Sequence, residues 1–263
     1  MCILSFLPPE ATVDVNGLWN GGINNPHGHG WAIVETDRVV VGKSLDLAEA
    51  LESFVAARER HPAGPALFHS RWATHGSVNL PNVHPFVVGG SELTVVAHNG
   101  ILPTEAHPAK GDDRSDSRKF ADEILPTRFR RLDRRRAHDA LSRWCGRANK
   151  LVILTADPRY QRNSYVINES LGRWDAESGM WHSNEDYLGG VCQVGSSSVG
   201  GGVAGGHCDL CWWGEVDEQG YCGQCRSCTD CYETFVTACV GTVRWCEVSV
   251  GASWCCDASC RRA

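Results

Sequence analysis

Short runs of apolar residues recur along the first two-thirds of the chain, and each run is closed by glycine, proline or polar residues. Runs of this length and composition predict β-strands. The predicted strands span residues 2–7, 31–34, 39–41, 67–68, 93–97, 150–154, 164–168 and a tryptophan-bearing segment at 172–182.

Two stretches have helical spacing instead. Residues 46–60 repeat apolar side chains every three or four positions, and residues 115–147 do the same with a break expected at Pro126. Residues 16–30 are rich in glycine and asparagine and predict a turn-rich loop. Strands and helices come in blocks without a repeating βαβ pattern, which favours an antiparallel α+β fold over a doubly wound sheet.

Cysteine is distributed unevenly, because 12 of the 14 cysteines fall between Cys192 and Cys260. A hydrophobic fraction of 42% with 10 tryptophans is sufficient for a packed core in the remainder. We therefore predict a main domain at residues 1–190, a Gly/Ser-rich linker at 191–206 and a cysteine-rich tail at 207–263.

Charge and hydropathy restrict the class of protein. A formal net charge of −6 and a pI near 6.0 disfavour general coating of nucleic acid. The N-terminus has no basic lead-in of a secretory signal, and no uncharged apolar run is long enough to cross a bilayer. These features predict a cytoplasmic protein whose thiols stay reduced.

Candidate chemistry is concentrated at residues 69–76, which read His-Ser-Arg-Trp-Ala-Thr-His-Gly after a predicted strand. On its own this motif fits a polar pocket for a charged small molecule or a buried polar turn whose arginine pairs with an acid. Three further pieces favour the pocket: Cys2, His98-Asn99-Gly100 at a predicted strand end, and Ser115-Asp116-Ser117.

In this order, the four pieces resemble the class II glutamine amidotransferases, the N-terminal-cysteine branch of the N-terminal-nucleophile (Ntn) hydrolases. Residues 71–76 and 98–101 match the glutaminase domain of glucosamine-6-phosphate synthase nearly letter for letter. The resemblance covers roughly the first 190 residues. It implies a four-layer αββα sandwich and an enzyme that hydrolyses glutamine.

The resemblance also implies catalytic roles. Once Met1 is removed, Cys2 carries a thiol with a reference pKa of about 8.5 and an α-amine of about 7.7–8.0, which is a nucleophile and a base on one residue. The thiol would attack the glutamine side-chain amide, and the Asn99 side chain and Gly100 N–H would bind the oxyanion. Alone, Asn99-Gly100 would equally be a plain turn.

The remaining roles concern the substrate. Arg71 would grip the α-carboxylate with two parallel hydrogen bonds, assisted by Thr74 and His75, and Asp116 would pair with the α-ammonium group. The alternative for Asp116 is a helix cap. Trp72 would pack beside the pocket or serve as a core aromatic.

Two further motifs lie outside this resemblance. Cys208-x₂-Cys211 and Cys222-x₂-Cys225 have the spacing of a zinc ribbon and predict a structural zinc, with disulfides or a poorly ordered segment as alternatives. Residues 128–136 hold six arginines in nine positions. We favour a solvated helix face for this run over a docking patch for an acidic partner or nucleic acid.

The sequence thus predicts a glutaminase that makes glutamate and ammonia. About 70 residues beyond the domain are too few for a fused ammonia-consuming synthase, so the expected acceptor is a separate enzyme. The alternatives are an Ntn-type amidase or peptidase acting on another γ-glutamyl or acyl substrate, and a non-catalytic zinc adaptor that retains an amidotransferase-like body.

Overall fold

The computed structural model of the protein describes residues 2–74 and 76–188. The predicted linker, the tail at 207–263 and the four cysteines predicted to bind zinc, Cys208, Cys211, Cys222 and Cys225, lie outside the described residues. None of the described helices is both long and apolar enough to span a membrane.

Two antiparallel sheets form the framework of the described residues. The first sheet has six strands in the order β3-β2-β4-β1-β10-β9, and the second has four in the order β5-β6-β7-β8. The strands are β1 (Ile3–Leu7), β2 (His29–Val34), β3 (Val39–Ser44), β4 (Ala66–Ser70), β5 (Phe86–Val88), β6 (Ser91–Asn99), β7 (Lys150–Thr155), β8 (Ser164–Ile167), β9 (Arg173–Trp174) and β10 (Trp181–His182).

Helices cover the outer faces of both sheets. They are α1 (Val15–Ile23), α2 (Leu47–Arg60), α3 (Asp116–Lys119), α4 (Leu125–Arg128) and α5 (Arg135–Cys145), and a π-helical turn at Phe120–Ile124 joins α3 to α4. The layers therefore run helices, sheet, sheet, helices, and the predicted α+β arrangement with antiparallel sheets is confirmed.

Three apolar cores hold these layers together. Leu4, Ala32 and Val152 belong to the core between the two sheets, whereas Phe54 of α2 packs with Phe68 on the outer face of the first sheet. Phe120 and other residues of α3–α5 pack on the outer face of the second sheet. Strand β1 lies near the centre of the first sheet with all five residues buried, so the residue before it, Cys2, has a fixed position.

The prediction of a turn-rich loop at 16–30 is wrong, because helix α1 occupies its first half. Asp14 caps this helix by accepting the Gly17 N–H at 2.9 Å. A Cβ atom at Gly21 would lie 2.8 Å from the Ile3 side chain, and one at Gly22 would lie 2.3 Å from Leu47. The glycines are therefore packing positions that bring α1 close to β1 and α2, and are not turn residues.

The predicted helix over 115–147 is also different in the structure. It continues through Pro126, at the junction between the π-helical turn and α4, and stops at Arg128. Residues 129–134 are non-helical before α5 begins at Arg135. The arginine run is therefore not one helix face.

Candidate active site

Cys2 directly precedes β1, one of the two central strands of the first sheet. Strands β1 and β4 are antiparallel with Ile3 opposite Ser70, so Cys2 is next to the chain that leaves β4 at Arg71. The Cys2 sulfur accepts the Trp72 N–H at 3.2 Å and lies 3.4 Å from the Trp72 carbonyl. The pairing of two strands thus joins two pieces of the predicted site that are 70 residues apart.

The segment after β10 fixes the backbone of Cys2 from the other side. Ser183 donates its N–H to the Leu4 carbonyl at 2.9 Å, and its Oγ accepts the Leu4 N–H at 2.9 Å. Asn184 donates its side-chain N–H to the Cys2 carbonyl at 3.0 Å. Neither Ser183 nor Asn184 was predicted from the sequence, since no local pattern links them to a cysteine about 180 residues earlier.

Asn99 ends β6 and reaches the same group. Its Nδ2 lies 2.8 Å from Ser183 Oγ, and its buried Oδ1 has no hydrogen-bond partner among the described residues. In this orientation, Ser183 Oγ accepts two N–H groups. In the opposite amide orientation, the Ser183 hydroxyl donates to Asn99 Oδ1, so each of these two groups has a partner. The Asn99 NH₂ is then a free donor; amide orientation is assigned from such networks.

Gly100 occupies a backbone conformation that other residues avoid, with φ of +136°. A Cβ atom here would lie 2.3 Å from Asn149 Oδ1 and 2.9 Å from the Ala148 carbonyl. Asn149 has no freedom to retreat, because its Oδ1 lies 2.7 Å from His98 Nε2 and its Nδ2 donates to the Cys145 carbonyl. The position therefore requires glycine, which a plain turn dipeptide would not explain.

Replacing Gly100 with Ala should lower the free energy of unfolding by about 2–4 kcal/mol, as the sum of backbone strain and overlap with a fixed side chain. Urea unfolding measures this. Gly111→Ala is the matched control, since Gly111 has φ of +94° but nothing within 4 Å of its Cβ position. It should lose only the strain, roughly 1–2 kcal/mol. Equal losses in both variants would contradict the steric account of Gly100.

Asp116 is buried at the start of α3, where it is not the cap. Ser115 caps the helix by accepting the Arg118 N–H at 3.1 Å. Asp116 accepts the Leu102 N–H at 2.9 Å through Oδ2, and the Ser117 N–H at 2.7 Å through Oδ1. Ser117 Oγ also lies 3.1 Å from Oδ1. The carboxylate is thereby held in one orientation, and Oδ2 keeps a lone pair for a further donor.

His98 supports this arrangement from inside the protein. Its Nε2 donates to Asn149 Oδ1 at 2.7 Å, and its Nδ1 accepts from Ser117 Oγ at 2.8 Å, because the Asn149 amide fixes the tautomer. Burial lowers the pKa of His98 and keeps it neutral. Both ring nitrogens are occupied, so His98 positions its neighbours and is not available as a base.

Arg71 supplies positive charge at the site. It is only 2% exposed, donates from Nη1 to the Ser77 carbonyl at 2.9 Å, and interacts electrostatically with Cys2 and Asp116. Its backbone continues the β2–β4 ladder, since the Arg71 N–H donates to the Gly28 carbonyl at 2.9 Å. The glycine-containing turn before β2 therefore lies beside the site.

The other predicted substrate residues have different positions. Trp72 is half-buried and packs against the His27 ring with centroids 4.9 Å apart, so it lies beside the sulfur and outside the three apolar cores. Thr74 is exposed. His75 lies outside the described residues.

Protonation of Cys2 limits the chemistry. Burial raises the pKa of the Cys2 thiol, and the Trp72 N–H and nearby positive charge offset this only in part, so a base must accept the proton. His27 accepts the Ala73 N–H at Nδ1, at 2.9 Å, so its other ring nitrogen carries the proton. His98 is occupied at both ring nitrogens as well, so neither histidine is available as this base.

Parts of the chain are similar to enzymes of known function, although no model of a protein family matches it. The glutamine–fructose-6-phosphate aminotransferase of Vibrio cholerae is 38% identical over 97 residues, which are 35% of this chain and 15% of that protein. The enzyme of the same name from Neisseria meningitidis serogroup A is 50% identical over 48 residues, which are 18% of this chain and 8% of that protein.

The chain is similar in part to glutamine–fructose-6-phosphate aminotransferases. It spans only a small part of the curated relatives it matches, 8% to 15% of their lengths in these two cases. A solved Bacillus subtilis glutamine phosphoribosylpyrophosphate amidotransferase aligns with 72% of this chain and 43% of its own, at 18% identity and a TM-score of 0.48. A glutamine aminotransferase class-II domain protein from Silicibacter pomeroyi covers 69% of this chain and 87% of its own, at 13% identity and a TM-score of 0.33.

Among residues 2–74 and 76–188, no group of three or more His, Cys, Asp or Glu side chains is arranged to hold a metal ion. The structure brings Cys2, Arg71, Asn99 and Asp116 to one end of the two facing sheets, joined through Ser183 and Ser117. The predicted zinc concerns only the tail and stays a prediction.

Proposed function

We propose that this domain hydrolyses L-glutamine to glutamate and ammonia through a γ-glutamyl thioester on Cys2, within an Ntn-hydrolase αββα sandwich. The observation that carries the proposal is the position of the Cys2 sulfur, 3.2 Å from the Trp72 N–H and within electrostatic range of the buried Arg71. A guanidinium group next to a nucleophile fits a substrate with an anionic group near the reacting amide.

The first step forms the thioester. The Cys2 α-amine accepts the thiol proton, and the sulfur attacks the side-chain carbonyl carbon of glutamine. The negative charge that develops on the carbonyl oxygen is stabilised by the Asn99 NH₂ and the Gly100 N–H, an arrangement worth about 10²–10³ in rate for each donor. The α-ammonium then protonates the leaving nitrogen, and the carbon–nitrogen bond breaks to release ammonia.

The second step regenerates the enzyme. Water gives a proton to the α-amine and attacks the thioester carbonyl, and the same two donors bind the oxyanion. The carbon–sulfur bond then breaks, and the α-ammonium returns its proton to the leaving sulfur. The products are glutamate and the free thiol, so atoms and charges balance without a cofactor. Fixed donors and a fixed nucleophile make this electrostatic stabilisation effective.

Substrate selection uses two opposite charges held at a fixed separation. In the proposal, Arg71 binds the α-carboxylate with Trp72, Thr74 and His75 around it, and Asp116 binds the α-ammonium group. The hydrogen bonds to Asp116 from Leu102 and Ser117 orient its carboxylate before substrate arrives. A free α-amino acid meets both groups with its own charges, whereas a general acyl substrate offers at most one of them.

The substrate test compares glutamine with glutamine blocked at either end. We expect N-acetylglutamine and glutamine α-amide each to show kcat/KM at least about 10²-fold below that of glutamine, because each lacks one of the two charges that the site recognises. Release of ammonia, the product common to all three substrates, is measured by coupled assay. Blocked substrates cleaved as well as glutamine would instead support the Ntn amidase or peptidase function.

Two proposals extend beyond the domain. The ammonia passes to an acceptor, which is supported by the naming of the relatives as aminotransferases; that the acceptor is a separate enzyme is part of the proposal. Cys208, Cys211, Cys222 and Cys225 hold a structural zinc, which rests on their spacing alone.

A further inference from the structure

A cavity lies at the end of the second sheet that is away from Asn99. It has a volume of about 710 Å³, and its lining includes Ser91 and Thr94 at the start of β6 and Asp157 after β7. Five residues of extended strand separate Thr94 from Asn99, or roughly 16 Å at 3.3 Å per residue. The cavity is therefore separate from the candidate active site.

The non-helical part of the arginine run forms one wall of this cavity. Arg130, Arg131 and Arg134 line it and are exposed. Among residues 2–74 and 76–188, neither the Arg131 nor the Arg134 side chain has a hydrogen-bond acceptor or a carboxylate partner. Neighbouring arginines differ in this respect, since Arg128 pairs with Glu105 at 2.9 Å.

The two carboxylates in the lining do not neutralise these guanidinium groups. Asp157 is hydrogen-bonded by the Arg159 N–H and guanidinium, which also lower its pKa. Asp133 accepts the Gln161 N–H at 3.1 Å and the Tyr165 hydroxyl. The lining holds four arginines against these two aspartates, so the cavity keeps a net positive charge that is available to an incoming anion.

The start of helix α5 adds to this positive field. Arg134 occupies the N-cap position without a side-chain cap, and Arg135 and Arg136 follow in the first turn. Cations are disfavoured at this end of a helix, where an anion is favoured. A sequence that places three arginines there violates a local stability rule, and such violations concentrate at functional positions.

The shape and the remaining lining restrict the ligand. A concave volume of about 710 Å³ lies within the range of small-molecule sites, about 300–1,000 Å³. Apolar and aromatic groups, including Leu125, Phe129 and Tyr160, form the rest of the wall. A net charge of −6 over the chain opposes a long polyanion.

We propose that this cavity binds a phosphorylated small molecule, with Arg131 and Arg134 holding the phosphate and the apolar wall contacting its organic part. Guanidinium groups suit phosphate because their planar donors match its oxygens in pairs. The proposal is independent of the proposed glutamine hydrolysis, since it shares no residue with that site.

Calorimetric titration of the full-length protein at fixed ionic strength tests this proposal, with inorganic pyrophosphate, a hexose phosphate and the unphosphorylated hexose as probes. The two phosphorylated probes should bind and the free hexose should not. Arg131→Gln with Arg134→Gln should weaken pyrophosphate binding at least tenfold. Arg143→Gln with Arg147→Gln removes the same charge from exposed positions outside the cavity lining and should change binding less than twofold.

Three outcomes would overturn the proposal. One is that pyrophosphate binds no more strongly than chloride at matched ionic strength. Another is that the two double variants lose affinity for pyrophosphate equally. The third is displacement of pyrophosphate by a single-stranded RNA oligonucleotide whose binding falls steeply with salt, which would indicate a nucleic-acid surface instead. Unchanged urea midpoints in both double variants exclude misfolding as the cause of a loss.

Discussion

Replacing Cys2 with Ala should reduce glutamine hydrolysis at least about 10⁴-fold, because removing a nucleophile leaves only binding and oxyanion stabilisation. The loss should appear in kcat, with little effect on folding. Cys2 is half-buried, and its side chain contacts mainly the backbone of Trp72. Initial rates of glutamate release measure the effect, and turnover that persists in Cys2→Ala would contradict the assignment.

Two variants test whether the loss comes from the Cys2 thiol and its α-amine. Cys145→Ala should keep kcat within about twofold, since Cys145 is buried at the C-terminal end of α5 and its environment raises the pKa of the thiol to about 11. A lysine inserted between Met1 and Cys2 should keep the thiol but prevent exposure of its α-amine. Activity in this second variant would exclude the α-amine as the base.

Lowering the pH from 7 to 5 should destabilise the protein by roughly 6 kcal/mol through three buried histidines, each contributing about 2 kcal/mol. Burial lowers the pKa of His29 and His182 to about 4 and that of His69 to about 3. The unfolded chain binds protons at these groups below about pH 6.5. Stability is therefore fully present above pH 6.5 and is lost as the pH falls toward 4.

Urea unfolding at pH 7 and pH 5 measures this dependence. Carboxylates stay ionised over this interval in both states, so they contribute little. In His182→Gln the loss of stability between pH 7 and pH 5 should be smaller by about 2 kcal/mol, because glutamine does not titrate. Its side chain can still hydrogen-bond the Ser5 hydroxyl, which lies 2.9 Å from His182 Nδ1 in the native protein. Equal stability at the two pH values would show that these histidines are not buried and neutral.

Local sequence patterns predicted the elements whose side chains alternate or repeat regularly. Helix α2 was predicted at 46–60 and spans Leu47–Arg60, and the buried run after Lys150 forms β7 as expected. Helix α1 was missed because glycine is a poor helix former on its own. Gly21 and Gly22 allow close packing against Ile3 and Leu47, and these contacts exist only in the folded protein.

Some residues of the candidate site could likewise be predicted from the sequence, and others could not. Arg71, Asn99 and Asp116 each follow or begin a predicted element and could be found by motif. Ser183 and Asn184 hold the nucleophile through pairing of β1 with β10, where Ser5 lies opposite His182. That pairing depends on which strands become neighbours in the sheet, and no short-range pattern in the sequence carries this information.

Catalysis by Cys2 is measured most directly by the intact mass of the protein quenched in acid during glutamine turnover, followed by mapping of the N-terminal peptide. We predict loss of Met1 and the added mass of one γ-glutamyl group on Cys2 during turnover. That group should be absent without glutamine and absent in Cys2→Ala. A γ-glutamyl group on another residue would contradict covalent catalysis by Cys2. So would the absence of any γ-glutamyl group from the protein while it releases glutamate, under conditions where the thioester accumulates.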